Sequence, residues 1–98
     1  MASSAEISPE KCRYVAGVLK NLAHPGRLTL LCLLAEKARS VSELTELSDS
    51  SQSSVSQYLK QMKTQELLTS DRKGQRVLYS IKDPKVLKLI SALHDIYC

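Results

Sequence analysis

Three cysteines, Cys12, Cys32 and Cys98, are the thiols of this sequence, and they bound the chemistry it can attempt. Their number is odd and no pair has C-x-x-C spacing, so the pattern is not that of a disulfide framework. Cys32 lies in the apolar run LTLLCLLA, where a free thiol is most often an inert, buried small hydrophobe. Cys12 reads in the same way, as a half-buried residue of a first helix. Cys98 ends the sequence, at the kind of position that is usually accessible and open to exchange chemistry. A zinc site gathered from Cys12, His24, Cys32, His94 and Cys98 would need four N/S ligands in close array. His94 and Asp95 are adjacent, about 100° apart around a helix, so no metal or cofactor is expected. With two histidines, no G-x-S-x-G and no paired acid/base carboxylates, the chain does not read as an enzyme.

A second group of residues suits recognition rather than reaction. In SDSSQSSVSQYLK, residues 48–60, and the residues just after it, Val55, Leu59 and Met62 recur at i, i+4 and i+7 and so share one side of a helix. The other side carries Gln52, Ser53, Ser56, Gln57 and Lys60, short hydrogen-bonding groups and a cation without a carboxylate, as suits the floor of a DNA groove. The net charge is +4, and residues 51–82 account for the excess, with Lys60, Lys63, Arg72, Lys73, Arg76 and Lys82 against Glu66 and Asp71. That third of the chain is expected to meet a polyanion.

The elements that must position these groups can be read from caps and periods. Ser8-Pro9 opens a helix to about Leu22 with Tyr14, Val15, Val18, Leu19 and Leu22 as its apolar stripe, and Pro25 opens a second to about Lys37. The second is apolar on nearly every side and is expected to be the buried centre. Ser40 and Glu43 form a capping box for a short third helix ending near Leu47, and the serine-rich helix is the fourth. ELLTSD then pairs with the alternating RVLYSI across RKGQ, Gly74 supplying the turn. Asp83-Pro84 starts a last helix with Val86, Ile90, Leu93 and Tyr97 on one side, leaving spare apolar surface on the first and last helices. With 98 residues and 43% hydrophobic content, one domain over 1–98 is expected, without a membrane span or leader, in the cytoplasm.

The segments NLAHPGRLTLLCLL, SVSELTEL, SQSSVSQYLK and GQRVLYSI, in this order, resemble the ArsR-type bacterial transcriptional repressors over almost the whole chain. The resemblance implies a mainly α fold with a small β-hairpin, a winged helix-turn-helix in the order α-α-α-α-β-β-α. It also implies a homodimer on the first and last helices that leaves its operator when an inducer binds. A two-fold dimer sets its recognition helices roughly 34 Å apart, so an inverted-repeat operator is expected. Base reading then falls to Gln52, Ser53, Ser54, Ser56 and Gln57, and phosphate or minor-groove contacts to Lys60, Arg72, Lys73 and Arg76. Ser51 reads as a helix cap, and Tyr58, where the family often has His, as a residue that packs rather than one that touches DNA. Ser50 departs from the family, which usually has an apolar residue there.

The inducer is the harder question. Metal-sensing relatives carry Cys-x-Cys in the third helix or carboxylate and His ligands along the last, and this sequence has neither. Cys32 and Cys98 instead stand where the dithiol sulfur sensors of the HlyU, SqrR and BigR subgroup keep their reactive pair. The resemblance therefore implies release of DNA by a persulfide or polysulfide through a Cys32–Cys98 disulfide or polysulfide bridge. Packed helix axes lie about 8 to 10 Å apart, whereas a disulfide wants Cα atoms within about 4.4 to 6.8 Å, which favours a bridge containing extra sulfur. A zinc-responsive or other ArsR-type metalloregulator, a repressor sensing peroxide or disulfide, and a winged helix used only for protein contacts are the alternatives.

Overall fold

The computed structural model describes residues 7–98, which form α1 (Pro9–Leu22), α2 (Pro25–Glu36), α3 (Val41–Leu47), α4 (Gln52–Thr64), β1 (Leu68–Lys73), β2 (Arg76–Ile81) and α5 (Pro84–Tyr97). Each helix begins where a side chain can accept from otherwise orphaned N–H groups. Ser8 accepts from Lys11, His24 from Arg27, Ser51 from Ser54 and Asp83 from Lys85. At α3 the box is reciprocal: the Glu43 N–H donates to Ser40 Oγ at 3.2 Å and the Ser40 N–H to Glu43 Oε1 at 3.1 Å.

The end of α4 is less legible. Leu67 N–H donates to Met62 O and Glu66 N–H to Lys63 O, the paired bonds of a Schellman motif, and Glu66 takes the left-handed φ of 66° that glycine usually fills. This turn consumes Glu66 and Leu67, so the strand starts at Leu68 rather than at Glu66. The antiparallel register runs from Leu68 opposite Ile81 to Lys73 opposite Arg76, leaving Gly74, at φ +66°, and Gln75 as a two-residue turn. RKGQ as a whole is therefore not the connection: Arg72 and Lys73 belong to β1, while β2 spans RVLYSI as expected.

Leu30, Leu31, Leu44, Val55, Leu59 and Met62 are fully buried and form the core with Leu67, Leu68, Val86 and Ile90. α2 touches α1, α3, α4, α5 and β2, as a central helix should. It is nevertheless not buried all round. Leu30, Leu31 and Leu34 face inward, Leu28 and Leu33 are half-buried, and Cys32 is exposed, because the elements packed on α2 leave one of its sides uncovered. On α1, Val18 and Leu22 reach the core while Tyr14, Val15 and Leu19 remain about half exposed; on α5, Ile96 and Tyr97 are 71% and 81% exposed. Among the described residues no helix is long and apolar enough to cross a membrane.

Candidate nucleic-acid interface and thiol pair

α4 has the two sides its sequence implies. Val55, Leu59 and Met62 are sealed in the core, and Gln52, Ser53, Ser56, Gln57 and Lys60 are exposed. Ser54 departs from that set: it is half-buried, its N–H donates to Ser51 Oγ at 3.2 Å and its hydroxyl accepts from Ser51 at 3.1 Å, so it serves the cap.

A polar cluster not apparent from the sequence fastens this helix to the rest of the protein. Arg27 of α2 donates to Gln61 on α4 and, at 3.4 Å, to Asn21 Oδ1 on α1, while its guanidinium lies 5.6 Å from the centre of the Tyr58 ring. Buried Asn21 donates onward to Gln65 Oε1 at 2.7 Å. His24 meets Tyr58 edge-on at 5.0 Å, so Tyr58 packs, half-buried, against the start of α2. Gly26 permits the approach, since a Cβ there would stand 3.0 Å from Tyr58 Cε2.

The basic third of the chain carries less free charge than its composition implies. Lys73 pairs with Asp71 at 3.3 Å, Lys82 with Glu66, and Arg76 with Glu43, which lies outside the 51–82 segment. Arg72 Nε donates to Gly74 O at 3.3 Å and Lys63 Nζ to Ser70 Oγ at 2.6 Å. Lys60, Lys63 and Arg72 are thus the cations of that segment without a carboxylate partner among the described residues. A groove of about 610 Å³ lined by Ser56, Lys60, Lys63, Thr64 and Tyr79 joins α4 to the hairpin. The Glu43 carboxyl is held below its ordinary range, chiefly by the Ser40 N–H and then by the Ser40 hydroxyl, Arg76 and Lys37.

The thiols occupy another region. Cys32 opens into a cleft of about 570 Å³ between α2 and α5, lined also by Leu28, Thr29, Glu36, Ile90 and His94. Cys98 closes α5, its N–H donating to His94 O at 2.8 Å, and both thiols are exposed. Cys12 is exposed as well, contrary to the half-buried reading. Desolvation in the cleft, and after it the negative charges of Cys98 and Glu36, push the Cys32 thiol above its ordinary value of 9.0. Since the thiolate is the nucleophile, alkylation of Cys32 by iodoacetamide should keep accelerating as pH rises through 9.0. Rates followed by mass spectrometry from neutral pH upward would contradict this assignment if they levelled off below that value. Among the described residues, no three His, Cys, Asp or Glu side chains are grouped to hold a metal ion.

Residues 24–70 match the family described as bacterial regulatory protein, arsR family. Over 84 residues the chain is 42% identical to the HTH-type transcriptional regulator YgaV of Escherichia coli, covering 85% of both chains. The chain belongs to the ArsR family. This ArsR-family chain is also similar to the transcriptional repressor BigR from Xylella fastidiosa, with a TM-score of 0.85, 31% identity and 98% of each chain covered. A second solved structure is the homodimeric winged helix-turn-helix DNA-binding domain of Mb0332 from Mycobacterium bovis, at a TM-score of 0.77 and 29% identity over 98% of this chain and 89% of that one. The ArsR-family fold, a winged helix-turn-helix, makes α3 and α4 the helix-turn-helix and the β1–β2 hairpin its wing, and the protein is a transcriptional regulator rather than an enzyme.

Proposed function

We propose that this ArsR-family regulator is a homodimeric repressor that a persulfide or polysulfide releases from an inverted-repeat operator through a bridge between Cys32 and Cys98. The observation that carries the reading is geometric: exposed Cys32 lies in the cleft between the packed helices α2 and α5, His94 of α5 lines that same cleft, and exposed Cys98 follows one turn beyond His94, its N–H donating to the His94 carbonyl. The half-exposed Tyr14, Val15 and Leu19 on α1 and exposed Ile96 and Tyr97 on α5 are the surface a second copy would cover, and Mb0332 is a homodimer. Gln52, Ser53, Ser56 and Gln57 read bases, and Lys60, Arg72, Lys73 and Arg76 meet phosphate or the minor groove. A reducing cytoplasm keeps the thiols ready.

The chemistry closes without another oxidant. The Cys32 thiolate takes the sulfane sulfur of RS–SH, forming Cys32–S–SH and releasing RSH after protonation. Attack by the Cys98 thiolate on the Cys32 sulfur gives a disulfide and expels hydrosulfide. If a second RS–SH first lengthens the chain to Cys32–S–S–SH, attack on the sulfur next to Cys32 Sγ gives a trisulfide and again expels hydrosulfide. In both routes the donor sulfur is reduced and the protein thiols are oxidised.

The test uses duplexes that the reduced protein selects from a random pool. Addition of an organic persulfide should free the DNA, and the intact mass should gain one sulfur less two hydrogens for a Cys32–Cys98 trisulfide. Release without modification at Cys32 or Cys98, or stoichiometric zinc retained through both thiols, would overturn the proposal.

A further inference from the structure

We infer that Glu43 is a built-in competitor for DNA at the wing, holding Arg76 in the free protein so that a duplex gains this guanidinium only by displacing it. The inference rests on the reading of Arg76 as a DNA contact and adds the regulation of that contact.

Three observations carry it. First, the Arg76 guanidinium of β2 hydrogen-bonds and ion-pairs with Glu43 of α3, across the boundary between the wing and the helix-turn-helix. Second, the carboxylate is fixed before Arg76 reaches it. Its Oε1 already accepts the Ser40 N–H at 3.1 Å, and that same oxygen takes the arginine. Most exposed ion pairs are weak because two flexible side chains must be ordered together, and here the capping box has ordered one of them. Third, the pair retains access to solvent, with 60% of the Arg76 side chain and 30% of the Glu43 side chain exposed, so a phosphate can approach the guanidinium while it is still held. A carboxylate and a phosphate oxygen ask the same geometry of arginine, which makes exchange between them the natural event on docking.

Glu43→Gln separates the charge from the fold, because glutamine also serves at this position of a capping box and its Oε1 can still accept the Ser40 N–H. With a fluorescent random-sequence duplex, the reduced Glu43→Gln protein should bind about threefold more tightly per protomer, about tenfold for a dimer using both wings. The log–log salt dependence should steepen by up to about one unit per wing, since no carboxylate is left behind to recruit a cation. Arg76→Ala should weaken binding and flatten the slope, and in that background Glu43→Gln should bring little gain. An equal gain with and without Arg76, or weaker binding by Glu43→Gln alone, overturns the competitor role while leaving the wing reading intact. No loss with Arg76→Ala overturns the wing reading itself and the inference with it.

Discussion

With Cys98→Ser, persulfide treatment should leave the protein on its DNA. The side chain at 98 is exposed and outside the core, and what ties the residue to α5 is its backbone N–H, which donates to His94 O and does not depend on the thiol. The reduced variant should therefore bind as tightly as the parent. Cys32 can still take up sulfane sulfur, but no second thiol resolves it, so the mass rises by sulfur without the loss of two hydrogens and the helices stay unlinked. Anisotropy of a labelled duplex titrated with organic persulfide reads the result: a full drop for the parent, little change for the variant. Normal release by Cys98→Ser would end the paired-thiol account. Cys32→Ser is a usable companion, because a hydroxyl at an exposed position escapes the roughly 1 to 3 kcal/mol cost of an unsatisfied buried polar group that the apolar run LTLLCLLA would imply.

Leu59→Ala should bring the second large change. Leu59 is fully buried on the inner side of α4 between Val55 and Met62, and truncating a leucine in such a site removes transfer free energy and leaves a cavity, together about 2 to 5 kcal/mol. Set against a total of about 5 to 15 kcal/mol for a small domain, that is a large share. At about 4 to 8 °C per kcal/mol for a domain of this size, the thermal midpoint should fall by about 8 °C or more, measured by circular dichroism at fixed protein concentration. A shift of only a few degrees would mean that the inner side of α4 can repack around the loss.

These two outcomes differ in how far the sequence foretold them. The inner side of α4 was open to reading because Val55, Leu59 and Met62 repeat with the helical period, and so were the helix starts, because Ser8, Ser40, Ser51 and Asp83 have side chains that can accept from the first turn. Local rules govern both. The central place of α2 is legible in its apolar run, but its one open side is not, because an unbroken apolar run has no period to say which side faces water, and only the packing of its neighbours decides that Cys32 is exposed. The Arg27 cluster and the Glu43–Arg76 pair were out of reach for a related reason. Each joins polar residues 33 or 34 positions apart, where nothing in the local pattern selects one cation or amide over another. The end of α4 escaped because glutamate occupies the left-handed position that glycine usually marks.

Gln52, Ser56, Gln57 and Lys60 hold no side-chain hydrogen bond within the protein among the described residues, whereas Arg27, Asn21, Tyr58 and Gln61 fix α4 from its other flank. Exchanges at those four outward positions should change folding stability by no more than about 0.5 kcal/mol each. On the proposed reading of these residues as base contacts, a duplicated copy of this gene could acquire a new DNA address residue by residue while keeping its scaffold and its thiols, and a library randomised at the same four sites should yield orthogonal repressors that all answer the proposed inducer.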